Sequence, residues 1–549
     1  MKRFLFLLFF TRTAKFLPFS NLCYNKIKNK IFRLYHLEID VYKAKFTIFN
    51  SFVIENLKIK NRTSKRTTEI KIEKIEFALC FKSLLKGKAI LKYLNFHKIN
   101  ISTFSVASYI KEKTSENLNG NLKNKIRSYY DLIFKRYIKY STLFPNTINC
   151  KGVMISSNSE FILASQCVFD FSLERSVETY FFQIKTNISG CNINLHSIST
   201  SKINNQDFKF DLKGQYDENG FIIDKVSSIY FNDLCFSFYI QHLFATSDLI
   251  NSGIILKECT ANEISRTLQS ILINDIYPSN FTGHLSAFAT LTFELNNPLK
   301  HIFKVKVNNK LEIRNSIFPK FNLTLPFLYK IYLDGKVIKE IMLSNENSHF
   351  ASLKTTSKHL LNTILSTEDP YFLIHKGIDV FGLGYAITTN IAQRKFVRGG
   401  STITMQLARN LFLNHERTIS RKIEEIIITL LLENVLCTPK QELLEIYLNV
   451  IEFGKDLYGI SEATDFYFEK KPQDITLTES LVISYIIPRP KFFLEALEMR
   501  SPQLIMNLNR HFVKYSEIML KKGLISKIEF DNISYRIEFK KELGILILN

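Results

Sequence analysis

Along this chain the spacing of apolar residues changes once, and that change limits the fold more than any other feature. Up to about residue 320, apolar side chains recur at every second position. Leu37-Glu38-Ile39-Asp40-Val41, Ile70-Lys71-Ile72, Phe169-Asp170-Phe171-Ser172-Leu173, Phe208-Lys209-Phe210-Asp211-Leu212 and Phe303-Lys304-Val305-Lys306-Val307 all show it. Period two marks strands with one apolar and one wet face. Turn formers such as Asp217-Glu218-Asn219-Gly220 and Asn296-Asn297-Pro298 separate them. Two stretches, 104–140 and 260–275, read as helical instead. After about residue 345, Leu360, Leu361, Ile364 and Leu365 recur at helical spacing, and 423–436 and 443–448 continue it. A one-faced sheet followed by a separate helical domain is the economical reading. The 549 residues also exceed what one core supports. The expected class is α+β multidomain: a β-rich N-terminal region of amphipathic strands, then a mostly α domain. The expected divisions are 1–29, 30–340 and 341–549.

Charge narrows the partners. Against 73 Lys+Arg stand 51 Asp+Glu, a net +22, which favours anionic lipid headgroups, phosphorylated substrates or other polyanions. No nucleic-acid motif accompanies the charge, so a membrane surface or a pyrophosphate substrate is the better expectation. The eight cysteines, at 23, 80, 150, 167, 191, 235, 259 and 437, show no metal-ligand spacing and no dense disulfide framework. They are expected to be structural. At the N-terminus Lys2 and Arg3 precede an apolar run from Phe4 to Phe10. That run is too short to span a bilayer, where roughly 20 residues are needed. A signal-like or anchoring segment and an amphipathic surface segment both fit it.

The chemistry concentrates in three stretches. The first runs from Glu368-Asp369-Pro370 through Phe372 and His375 to Asp379. Pro370 disfavours helical backbone at Asp369, so Glu368 should end a helix. There the dipole raises a carboxyl pKa, as a general base working near neutrality requires. The second stretch runs from Arg398-Gly399-Gly400-Ser401 to Arg409-Asn410. Ser401 is the expected N-cap of a helix reaching about Leu413, with Thr402, Gln406, Arg409 and Asn410 on one polar face. In the third, Arg421-Lys422-Ile423-Glu424-Glu425, two cations would sit in a helix's first turn, where the dipole disfavours them. A bound pyrophosphate would supply the missing anion, and a locally broken rule of this kind is expected at a functional site.

These blocks, followed by Lys440–Asn449, Phe453-Gly454, Tyr458–Ala463, Phe466–Lys470 and Leu477–Leu481, resemble in order and spacing the motifs of the peptidoglycan glycosyltransferases (glycosyltransferase family 51). The resemblance covers roughly residues 345–500. It implies a lysozyme-like α domain with a membrane-dipping jaw, and polymerisation of lipid II onto a nascent glycan strand. By the same likeness Glu368 would be the general base and Glu425 a second essential carboxylate beside the pyrophosphate. Asp369, Phe372, His375, Arg398, Thr402, Gln406, Arg409, Asn410, Arg421 and Lys422 would line the substrate sites. Arg409 stands where the family usually has Lys, Met405 replaces the first Gln of a Gln-Gln pair, and Glu469 replaces a Gly. Some members use a divalent cation at the pyrophosphate, although no metal-ligand spacing is present here. The implied location is the bacterial inner membrane, catalytic domain on the periplasmic side, beside other cell-wall synthesis proteins. Separately, residues 75–94 resemble, in rhythm, the start of AsmA-type envelope proteins.

Two other functions are expected to compete with this reading. A lysozyme-like hydrolase would also place an acid at a helix end, but has no pyrophosphate to require Arg398, Arg409, Arg421 and Lys422. An AsmA-like envelope scaffold or lipid carrier with a degenerate enzyme domain is the other. Ser-x-x-Lys occurs at Ser83, Ser108 and Ser199, upstream of the motifs, and Lys-Thr-Gly is absent. The enzyme is therefore expected to lack transpeptidase activity.

Overall fold

A computed structural model describes residues 37–46, 51–62, 66–80, 90–105, 145–244, 248–269, 281–313, 322–323, 326–333, 336–413 and 416–548, together with Ser128, Tyr130 and Phe134. The expected N-terminal segment 1–29 lies outside these residues. So do 106–127 and 270–275, parts of the two stretches read as helical. The chain divides into two compact units. One comprises residues 1–312 with Thr418–Ser420; the other comprises Ile313–Arg417 and Arg421–Asn549.

The first unit is built on one sheet of fourteen strands, β1–β14, in nearly sequential order. β1 (Leu37–Phe46), β2 (Ser51–Arg62), β3 (Arg66–Leu79) and β4 (Leu91–Ser105) form a meander. Its registers put like beside like: Val41 faces Leu57, Leu57 faces Ile72, and Ile72 faces Ile99. The neighbouring row is polar, with Asp40 opposite Lys58 and Lys58 opposite Lys71. Because side chains alternate across a strand, the apolar rows share one face and bury together as a core of Ile39, Val41, Phe52, Ile54, Leu57, Ile72 and Ile75. Phe52 and Phe77, also cross-strand partners, stack at 5.0 Å.

Among the described residues the strand pairings are antiparallel, whereas β4 pairs with β5 (Thr147–Ser157) in parallel. A parallel pair requires a crossover, and the 104–140 stretch supplies the chain for it; the described Tyr130 and Phe134 are helical there. The predicted helix near 260–275 is α1 (Ala261–Gln269). At the predicted turn after β8 (Ile203–Tyr216), Asp217 Oδ1 accepts from the backbone N–H groups of Asn219 and Gly220.

The second unit starts earlier than residue 341. Its first elements are the hairpin strands β15 (Phe327–Leu333) and β16 (Lys336–Leu343), and they belong with the helices that follow. The helices bearing the site are α2 (Lys358–Glu368), α3 (Val380–Gln393), α4 (Ile403–Phe412), α5 (Ile419–Leu430), α6 (Lys440–Val450), α7 (Ile460–Phe468) and α8 (Leu477–Ile486). A single π-helical turn, Leu431–Val435, extends α5. α8 is buried on nearly all sides, and its apolar residues are spread round the helix with the small Ser480 and Ser484 buried among them. Thr476 and Glu479 close its N-terminus with a capping box, and it packs along α2. Asn449, at the end of α6, pairs through both ends of its amide with the Ala351 backbone. Among the described residues no helix is long and apolar enough to cross a membrane.

Candidate active site

Glu368 is the last helical residue of α2, as Pro370 dictates; Asp369 already has φ −155° and ψ 79°. The chain then doubles back and fastens to the start of α4. The buried Asp369 carboxylate has His375 Nε2 3.0 Å from both oxygens and accepts the Ile403 backbone N–H at 3.0 Å. An anion at a helix N-terminus is favoured. Thr402 caps the same helix by accepting from the Met405 N–H, and donates to the Gly377 carbonyl at 2.7 Å. Gly377 has φ +92°, and a Cβ there would meet Thr429 Cγ2 at 2.9 Å, so only glycine fits. Phe372 is buried, with Lys440 Nζ 4.2 Å from its ring centroid.

Asp369, Phe372, His375 and Thr402 therefore lie beneath the site, enclosed by protein, rather than on its wall. The N-cap of α4 is Thr402 and not Ser401. Thr402 takes the role because the threonine hydroxyl reaches the N–H three residues on, which leaves the Ser401 side chain free to face the cleft.

That cleft, of about 320 Å³, is lined by Glu368, Ser401, Gln406, Arg409 and Asn410, with Tyr329, Glu452 and Tyr458 among the residues opposite. Gln406, Arg409 and Asn410 come from the predicted polar face of α4. Gln406 Nε2 donates to Glu368 Oε2 at 2.9 Å, and the buried Tyr447 hydroxyl donates to Gln406 Oε1 at 3.2 Å. Burial pushes the Glu368 carboxyl above the ordinary carboxylate range; the Gln406 hydrogen bond opposes this, Asp369 adds to it and Arg409 opposes it. Glu452 is also pushed up by burial, with Lys491 opposing.

Glu425 is buried on α5 and both its oxygens are engaged. Arg421 Nη1 donates to one at 2.6 Å and Lys422 Nζ to the other. α5 begins at Ile419, so both cations lie in or beside its first turn, the unfavourable position expected from sequence. The anion that compensates them within the protein is Glu425, one turn on. Lys422 Nζ also donates to Ser401 Oγ at 2.6 Å. Arg398 stands apart from the cleft lining. It is exposed, its guanidinium lies 4.8 Å from the centroid of the Tyr385 ring, and Asn390 holds its backbone on both sides.

Sequence reasoning missed Tyr329, Ser401, Tyr447, Glu452 and Tyr458 as parts of the site. Tyr447 and Tyr458 sat in blocks read as fold-building, and nothing local marks Tyr329. A protein-held divalent cation does not fit the residues present. Among the described residues no three His, Cys, Asp or Glu side chains converge, and both oxygens of Glu425 already accept from cations.

A family model described as transglycosylase matches residues 334–509. A biosynthetic peptidoglycan transglycosylase of Nitrosomonas eutropha is 42% identical over 149 residues, 27% of this chain and 59% of that protein. One from Acinetobacter baylyi is 34% identical over 162 residues, 30% of this chain and 71% of that protein. Penicillin-binding protein 4 of Bacillus subtilis is 34% identical over 203 residues, 36% of this chain and 32% of that one. The chain thus spans about three fifths of the Nitrosomonas relative and a third of the Bacillus one.

Proposed function

Because the chain belongs to the peptidoglycan transglycosylase family, we propose that it polymerises lipid II into β-1,4-linked glycan, releasing undecaprenyl pyrophosphate. The observation that carries this reading is the pairing, in one cleft, of a desolvated acid at a helix end with a cation. Glu368 is the acid and Arg409 the cation.

Glu368 takes the proton of the acceptor sugar's 4-hydroxyl. The hydroxyl oxygen forms its bond to the anomeric carbon of the growing strand as the bond to the pyrophosphate oxygen breaks, so the new linkage has inverted configuration. The electron pair leaves with the pyrophosphate, and the nearby cations stabilise it. Charge stabilisation of this kind is commonly the largest single contribution to catalysis. A hydrolase acting on neutral glycan would have no use for these cations, which favours transfer over hydrolysis.

Exposed apolar side chains on the same unit support a membrane location. Phe381 is 80% exposed, Phe396 84% and Ile374 79%, with Leu373 and Val397 also exposed. Arg394, Lys395 and Arg398 adjoin them in sequence. Apolar tips among cations suit an anionic bilayer surface. The outer face of the inner membrane, where lipid II would be used, belongs to the proposal, as does the lysozyme-like character of the helical unit. For the β-rich unit the proposal is an AsmA-like envelope scaffold or guide for lipid-linked substrate.

The test is purified full-length chain with labelled lipid II in detergent or vesicles, the products separated by size. Polymer is expected. Fragments released from preformed glycan would establish a hydrolase instead, and no product in either assay would leave the scaffold reading.

A further inference from the structure

We propose that Tyr447 is a positioning residue, whose hydroxyl sets the orientation of the Gln406 amide and thereby aims one oxygen of Glu368 into the cleft. The inference rests on the reading of Glu368 as general base. Tyr447 lies on α6 and is fully enclosed, so its hydroxyl proton has no water to meet and must find a protein acceptor. The acceptor is Gln406 Oε1, 3.2 Å away. An amide has one acceptor atom and one donor atom. Committing Oε1 to Tyr447 therefore turns Nε2 to the opposite side, where it meets Glu368 Oε2 at 2.9 Å.

The three groups form a one-way chain, phenol to amide to carboxylate. Reversing the amide would set its carbonyl oxygen against a carboxylate and its NH2 against the phenol proton, which is unfavourable at both ends. Burial also holds the Tyr447 proton far above the ordinary phenol range, so the phenol stays a donor throughout the working pH range.

Two consequences follow for the reaction. With Oε2 engaged by Gln406, Oε1 is the Glu368 atom left to accept the substrate's proton. The chain also favours ionised Glu368, because a proton on Oε2 would face the NH2 group. The other charged groups about this carboxyl are Asp369 beside it in sequence, Arg409 on α4, and Glu452 across the cleft. None of these touches the Gln406 amide in the hydrogen bonds described, so Tyr447 has a separable effect. Without its hydroxyl, the amide can turn over and present its oxygen to a protonated Glu368. The base then gains its proton at a higher pH.

The experiment uses the full chain and four proteins: wild type, Tyr447→Phe, Gln406→Met and the double variant. Polymerisation of labelled lipid II is measured against pH, and thermal midpoints are recorded alongside. The Glu368 carboxyl is also titrated directly, by infrared difference against Glu368→Gln. In Tyr447→Phe the acid limb of kcat/KM is expected to move up by about one pH unit, with KM near wild type. Gln406→Met should move the limb similarly, and the double variant should add nothing further. An unmoved limb and unmoved infrared titration in Tyr447→Phe would overturn the proposal, as would shifts that add in the double variant. If Tyr447→Phe does not fold, an unmoved limb in Gln406→Met overturns it as well. If wild type makes no polymer, the general-base reading fails, while the infrared titration still decides whether Tyr447 governs the Glu368 carboxyl.

Discussion

Lys422 donates to Ser401 Oγ at 2.6 Å, and this contact ties the buried Glu425 to the wall of the cleft that holds Glu368. The two family carboxylates thereby occupy different electrical settings. Glu425 is saturated by Arg421 and Lys422, whereas Glu368 receives one amide hydrogen bond within the protein and otherwise faces the cleft. Glu425 holds Arg421 and Lys422 in place from within the protein. Glu368 is a desolvated carboxyl held above the ordinary carboxylate range by burial, as the proposed general base requires.

Glu368→Gln is expected to lower polymerisation about 10²–10⁴-fold, the usual cost of losing a general base, with the fold intact. Stability supplies a second readout. The folded pKa of Glu368 is raised, so the group's stabilising contribution is fully present below its unfolded pKa. It is lost as pH rises through the folded value. Above that value the native state holds a desolvated charge that Gln does not carry. The variant should therefore melt at or above the wild-type temperature at pH 8, and scanning calorimetry at pH 5 and pH 8 checks it. Near-normal turnover would remove Glu368 from its assigned role.

Arg409→Ala should weaken use of the lipid-linked donor, because Arg409 is the cation lining the cleft. Hydrogen bonds to charged groups contribute about 1.5–3 kcal/mol, roughly tenfold to a hundredfold in kcat/KM. Arg421→Ala should have a comparable effect and also destabilise the protein, since Glu425 keeps Lys422 alone. Thr404→Ala acts differently. Thr404 is fully buried and donates to Glu433, so its loss should cost about 1–3 kcal/mol of stability and leave donor KM unchanged. Michaelis kinetics at two salt concentrations, with denaturant melts, separate the three. Unchanged, salt-insensitive KM in both Arg variants would make the cationic cluster structural.

Glu469→Gly should stabilise the protein. Glu469 closes α7 with φ 55°, the left-handed conformation that glycine adopts without strain. A side chain there costs about 1–2 kcal/mol, partly offset by the greater unfolded-chain entropy of glycine. A net gain of about 1 kcal/mol in urea unfolding is expected. Activity should not change, because Glu469 is exposed and not among the residues lining the cleft.

A fragment beginning at Ile313 should polymerise lipid II when given a substitute membrane anchor, and one beginning at residue 341 should lose most of that activity. The difference is β15. Its Tyr329 lines the cleft and donates to the Asn410 carbonyl at 3.2 Å, and Lys339 on β16 pairs with Glu462 at 2.5 Å. Equal yields of polymer from the two fragments would show that the hairpin is dispensable. Inactivity of both would show that the β-rich unit contributes to catalysis.

Much of this protein was determined by sequence alone, because the signals involved are local. Period two wrote the amphipathic rows of β1–β4, and Pro370 ended α2 at Glu368. Helical spacing placed Gln406, Arg409 and Asn410 on one face, and the ordered motifs marked the family. Tertiary structure decided what local patterns cannot carry. Asp369, Phe372, His375 and Thr402 carry polar or aromatic side chains suited to a substrate, yet they are enclosed as the clamp beneath α4. Met405 is buried within α4, and Gln406 is the residue that reaches Glu368. Tyr329, Tyr447 and Glu452 reach the site from segments far away in sequence, and no local rule announces them. The physical reason is that a helix or strand is specified by neighbours a few residues apart. A side chain's burial, its hydrogen-bond partner and its proton affinity are specified by whatever the fold packs against it.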